Sequence, residues 1–126
     1  MNFFIGLLLF AFLVFTARCL AIPIFYSPAR GVASFYDHHF NGRKTASGVV
    51  FDASKRTCAT QSRSIPFGTI LIVTNLANNK RVVVRVTDRM GKHDPKDRII
   101  DLSEAAFAKI EDPRKGLCNV EIQIVK

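Results

Sequence analysis

The chain has 126 residues, 48% of them hydrophobic, and a formal net charge of +8. That length has room for one domain and no more. The basic residues, among them Arg30, Arg43, Lys44, Lys55, Arg56, Arg63, Lys80, Arg81 and Arg85, are dispersed without a basic-aromatic motif; this speaks against nucleic acid and for another polyanionic partner, such as cell-wall polymer or a membrane surface.

The uninterrupted apolar run FFIGLLLFAFLVF, residues 3–15, has the length of an export-signal core and falls short of the ~20 residues that span a bilayer. Cys19-Leu20-Ala21 offers a small-x-small cleavage pattern, so residues 1–21 are expected to be a signal peptide, or an N-terminal anchor if uncleaved. The membrane is then met only through that segment. Residues 22–30, with Pro23 and Pro28, read as an extended leader, and residues 31–126 as the domain.

Within the domain, GVASFYD (31–37) alternates as a strand and is followed by a polar loop. Ile65 to Thr69 carries the proline and glycine of a turn. The clearest element is a hairpin: ILIVTNL (70–76) and RVVVRVT (81–87) are β-branched alternating runs joined by Ala77-Asn78-Asn79-Lys80. Val82, Val84 and Val86 share its inner face. After the breaker-rich loop MGKHDPKD comes a short strand in RIIDLS, then a helix over SEAAFAKI with Asp101 or Ser103 as N-cap and Leu102, Ala106 and Ile110 on one stripe. Pro113 ends it, and NVEIQIV (119–125) is a last strand. About six short strands and one helix fit a small closed barrel.

The ordered strings GVASFYD, FNGRKTASG, VFD, CAT, IPFGTILIVTNLANNKRVVVRVTDR and RIIDLSEAAFAKI resemble the rare lipoprotein A family along nearly the whole domain. The segment before the helix is also similar to expansins and family 45 endoglucanases. The resemblance implies an all-β fold, a six-stranded double-psi β-barrel with one or two short helices behind an N-terminal signal segment. It implies an exported monomer of the periplasm, cell envelope or medium, acting without a cofactor on peptidoglycan or another cell-wall polysaccharide. Lytic members cleave glycan strands to anhydro ends: a carboxylic acid protonates the glycosidic oxygen and the sugar's own 6-hydroxyl closes on the anomeric carbon.

This chain departs from the family where that chemistry is expected. The glutamate position of the SGExFD motif is Val49, the histidine position is Thr60, and the histidine before the first-loop GR is Asn41. Asp88 of the VxDR segment remains, and Asp101 is the acid suggested by the endoglucanases. Asp88 and Asp101 are therefore the catalytic candidates, with Tyr36, Arg43, Thr45, Ser47, Asp52, Thr60 and Arg89 expected at the glycan. A non-catalytic wall-binding barrel is the alternative. His38, His39 and His93 are not expected to bind metal, because adjacent side chains on a strand diverge and no ligand-spaced partner is recognised. Cys58 and Cys118, left after signal removal, suggest a disulfide, with two buried free thiols as the other reading.

Overall fold

The computed structural model describes residues 27–125, so the expected signal segment 1–21 and most of the leader lie outside the described residues. Six strands, β1 (Ala29–Phe35), β2 (Thr57–Thr60), β3 (Ile70–Asn75), β4 (Arg81–Arg89), β5 (Arg98–Leu102) and β6 (Cys118–Ile124), close in the order β1-β5-β2-β4-β3-β6. Two pairs are parallel, β1 with β5 and β2 with β4, and the rest are antiparallel. This is the closed six-stranded barrel that the resemblance implies. One helix, α1 (Glu104–Ile110), packs against β4 and β1. Among the described residues, no helix is long and apolar enough to cross a membrane.

The hairpin forms as its alternation demands. Val82, Val84 and Val86 are buried with Leu71 and Val73 of β3, while Arg81, Val83 and Arg85 face solvent. Its turn also does a second task. Asn79 takes the positive φ, +60°, that asparagine tolerates. Asn75 and Asn78 both donate to the Ile110 carbonyl, at 2.8 and 2.9 Å, satisfying an acceptor that the end of α1 leaves open. At the other end of α1, the N-cap is Ser103, whose hydroxyl accepts from the Ala106 amide; Asp101 is not used for capping. Leu102, Ala106 and Ile110 are buried as one stripe together with Phe107, whose ring lies 4.8 Å from that of Phe35.

Both parallel pairs carry a one-residue register shift. In β1/β5 it falls opposite Ile99, whose side chain lies across Gly31. A Cβ at Gly31 would stand 2.7 Å from Ile99 Cγ2 and 2.8 Å from the Asp97 carbonyl oxygen, so only glycine lets β5 come that close. In β2/β4 the shift falls at Thr87, whose carbonyl accepts from the Ser47 amide instead of joining the ladder. Pairing with β2 resumes at Asp88 and Arg89, so β4 runs two residues past the expected end.

The expected disulfide does not form: Cys58 and Cys118 are free and buried. They sit on β2 and β6, which are separated by two intervening strands in either direction around the barrel, so their thiols belong to opposite walls. Burial raises both thiols, Cys118 to about 11.

Candidate active site

The site is a row of residues set by strand register. Ala59 of β2 pairs with Asp101 of β5 on one side and with Asp88 of β4 on the other, and Asp101 pairs with Ser34 of β1. Strands lie about 4.8 Å apart, so the two aspartates stand two spacings apart, roughly 10 Å between Cα atoms. Cys58 of β2 joins the barrel core, and Ala59, fully buried, lies between the two aspartates in the row.

The long connection between β1 and β2 builds the wall. Its stretch TASGVV doubles back on itself: Thr45 N donates to the Val49 carbonyl, Lys44 bridges Val50, and Gly48 turns with φ of +90°. The Asp88 carboxylate pins this loop to the barrel. It accepts from the Ala46 amide at 2.9 Å, from its neighbour Arg89's amide at 2.8 Å and from the Tyr36 hydroxyl at 3.0 Å. Tyr36, just past β1, stacks on Phe51 at 5.0 Å and meets Phe40 edge-on at 5.9 Å. Burial, followed by the nearby charges of Asp88 and Asp101, holds its phenol far above the ordinary range, so Tyr36 stays protonated as a donor.

These groups enclose a cleft of ≈ 300 Å³ in which Tyr36, Arg43, Thr45, Asp88, Arg89 and Asp101 all take part. Asp101 differs from Asp88 in having a single donor and no backbone amide, the Ser34 hydroxyl at 3.1 Å. It is half-buried, and burial pushes its carboxyl up to about 6 against the opposing Ser34 hydrogen bond; the charges of Asp94 and Asp88 push the same way as burial. A carboxylic acid of that strength can hold a proton near neutral pH and release it to a substrate.

Three expected site residues stand outside the cleft lining. Thr60 is fully buried, donates to the Ser62 carbonyl and accepts from Arg89, so it positions that arginine and offers no surface to a glycan. Asp52 closes a turn with Ser54 and borders a separate shallow depression beside α1. Ser47 braces Thr45 at 2.9 Å from behind. Arg89 does not pair with the Asp88 carboxylate: its guanidinium reaches Thr60 and the Ile65 carbonyl and lies over the Phe67 ring at 4.2 Å. Sequence reasoning missed Phe40, Met90 and Asp94, which also line the cleft. Asp94 could have been found from its place in the β4–β5 loop, which must pass over the row holding Asp88 and Asp101. Val49, at the family's acid position, is 54% exposed on the loop.

The histidines call for another correction. His38 and His39 lie on a 3-10 turn (His38–Phe40), not a strand, and the turn brings both Nδ1 atoms to Asp37 Oδ1, at 2.9 and 2.8 Å. A wider depression of ≈ 770 Å³ opens between β1, β6 and the β3–β4 turn, but its Glu111 is engaged by the Asp112 amide, Asn75 and Lys115.

The family model described as lytic transglycolase matches residues 28–122. The endolytic peptidoglycan transglycosylase RlpA of Pasteurella multocida is 41% identical over 98 residues, 76% of this chain and 31% of that protein. That of Haemophilus influenzae is 43% identical over 93 residues, 74% of this chain and again 31% of the relative. The chain thus spans under a third of the length of these relatives. Among solved structures, the apo expansin of Clavibacter michiganensis superposes with a TM-score of 0.62 at 25% identity, covering 79% of this chain and 51% of that one. A Streptomyces papain inhibitor shares the fold, with a TM-score of 0.62, 23% identity and coverage of 81% and 97%.

Proposed function

Since the chain belongs to the lytic transglycolase family of double-psi barrels, we propose that its cleft acts on the glycan strands of peptidoglycan in the cell envelope, with Asp101 as the proton donor. The observation that carries this reading is the half-buried Asp101 carboxyl, raised to about 6 and held by Ser34 alone on the cleft floor. In the first half of the reaction the Asp101 proton passes to the glycosidic oxygen as the C1–O bond breaks. The sugar's 6-hydroxyl then bonds to C1 and returns its proton to the Asp101 carboxylate, leaving an anhydro end with no water consumed. Positive charge developing at C1 is stabilised by the Asp88 carboxylate across the row, whose geometry Tyr36 and the loop amides fix. Tyr36 and Phe40 offer aromatic surface to sugar rings, and Arg43 and Lys44 offer cations to lactyl or peptide carboxylates.

A second reading rests on a specific observation. Valine at position 49 has no proton to give and Thr60 is buried where the family has histidine, as a barrel that binds wall glycan without cutting it would show. Incubation of the untagged full chain with peptidoglycan sacculi separates the two. Soluble muropeptides with anhydro ends that vanish in Asp101→Asn establish the enzyme. Co-sedimentation with sacculi and no soluble fragments, where a control transglycosylase works, establishes the binder.

A further inference from the structure

We propose that the 3-10 turn at the start of the β1–β2 loop is a divalent transition-metal site of the zinc type, with His38, His39 and Asp37 as ligands and Glu104 of α1 as the fourth. The site is separate from the cleft and does not depend on the glycan reading: none of the four residues lines the cleft.

Three consecutive residues rarely aim three donor atoms at one point, and a strand would forbid it. Here the tight turn stacks the two imidazole rings, with centroids 4.5 Å apart and planes 26° from parallel, so that their Nδ1 atoms face the same way. One donor atom from each of Asp37, His38 and His39 lies within 4.8 Å of the other two. A second chain segment comes near on the His38 side, for Glu104 Oε2 is 3.5 Å from His38 Nδ1, and a turn of this exposed side chain brings it in as the fourth ligand. The donor set, two imidazoles and two carboxylates, is one that zinc takes in tetrahedral geometry. Metal-to-ligand bonds of about 2.1 Å put neighbouring donors about 3.4 Å apart. The spacings of 2.8, 2.9 and 3.5 Å differ from that by a few tenths of an ångström, well within the freedom of exposed side chains.

Hydrogen bonding alone accounts poorly for the arrangement. Asp37 Oδ1 would accept from both Nδ1 atoms and from the His39 amide, three donors crowded on one oxygen. Both rings would have to carry the proton on Nδ1, or both be cations stacked face to face. An ion removes the conflict by accepting both Nδ1 lone pairs and the carboxylate together, leaving each Nε2–H to water. The buried thiols of Cys58 and Cys118 are no competitors, since burial keeps them protonated. Bound there, the ion fastens the loop to α1 one residue from Tyr36 on one side and next to Phe40 on the other, and so fixes the aromatic wall of the cleft.

The test is calorimetric titration of the untagged full chain with zinc chloride in a non-coordinating buffer at neutral pH. One ion per chain is expected, with at least tenfold weaker binding in His38→Ala and in His39→Ala, a smaller loss in Glu104→Gln, and no change in His93→Ala. Circular dichroism confirms that the variants fold, and a zinc-dependent rise in Tm should appear in the wild type and be absent from the His38→Ala/His39→Ala double variant. Absence of saturable binding, equal binding by the double variant, or loss of binding in His93→Ala overturns the proposal.

Discussion

Asp88 and Asp101 flank the same alanine from neighbouring strands, yet the barrel treats them differently. Asp88 sits just past a register shift, where the amides of Ala46 and Arg89 are within reach; with the Tyr36 hydroxyl they give it three donors. Asp101 sits within β5, where backbone amides are committed to neighbouring strands, and Ser34 is its single donor. Two identical side chains in one row are thus held differently, Asp88 by three donors and Asp101 by one, and their proposed tasks rest on that difference. Identity of residue says less about role than the number of donors that the local backbone leaves free.

The contrast breaks most sharply if the acid is removed. Asp101→Asn keeps the shape and the Ser34 contact but has no proton to transfer, so release of anhydro muropeptides should fall by about 10²- to 10⁴-fold with sacculus binding retained. A variant that kept wild-type release would assign the chemistry elsewhere. Asp88→Ala should lower turnover too, and in addition act on the scaffold. Leaving the Tyr36 hydroxyl and two amides without an acceptor should cost about 2–3 kcal/mol in denaturant unfolding, and the amides of the β1–β2 loop should exchange faster than those of β3 and β4. Faster exchange spread uniformly over the barrel would deny Asp88 its loop-pinning role.

Two glycines, one beside the β1/β5 register shift and one in the β1–β2 loop, can be compared in the same way. Gly31→Ala drives a methyl group into Ile99 and the Asp97 carbonyl, and should destabilise the protein by about 2 kcal/mol with the β1/β5 pair and Asp101 displaced together. Gly48→Ala meets nothing within 4 Å and is strained only by its positive φ, so it should cost about 1 kcal/mol and stay confined to the loop. Chemical denaturation orders the pair, and a larger loss at Gly48 would contradict the close approach of β5.

How much of this the sequence disclosed follows from which signals are local. The β3–β4 hairpin was readable because one face of each strand is wet, so alternation survives and asparagines mark the turn. β2 was not assigned: three of its four residues, Cys58, Ala59 and Thr60, are buried in succession, so no period shows in so short a run. The resemblance supplied the barrel and both aspartates. It could not supply the split between them, which depends on a one-residue register shift. Thr60 and Asp52 were misplaced for a related reason, since motif position places a residue along the chain and not on a face. The clustering of the two histidines was not anticipated, because the segment reads as a polar loop while the divergence of adjacent side chains is argued for a strand, and a 3-10 turn is neither.

The smallest expected effect is a slope. In the unfolded chain Asp101 has the ordinary value of 3.8, whereas in the barrel burial raises it to about 6. Between those values the native state holds more protons than the unfolded state, so this residue's contribution to stability falls as pH rises from about 4 to about 6 and is level above. Allowing for partial exposure, the loss is about 1–2 kcal/mol at neutral pH. Asp37, Asp52, Glu111 and Asp112 are lowered by their hydrogen bonds and contribute with the opposite sign at more acid pH, which would blur the wild-type curve. The difference between Asp101→Asn and wild type cancels them. That difference should be small at pH 4 and favour the variant by its full amount at pH 7, while the wild-type cleavage rate declines above pH 6 as the acid loses its proton. A difference curve that is flat across the window would mean that Asp101 is an ordinary solvated carboxylate, and its claim to the proton would go with the slope.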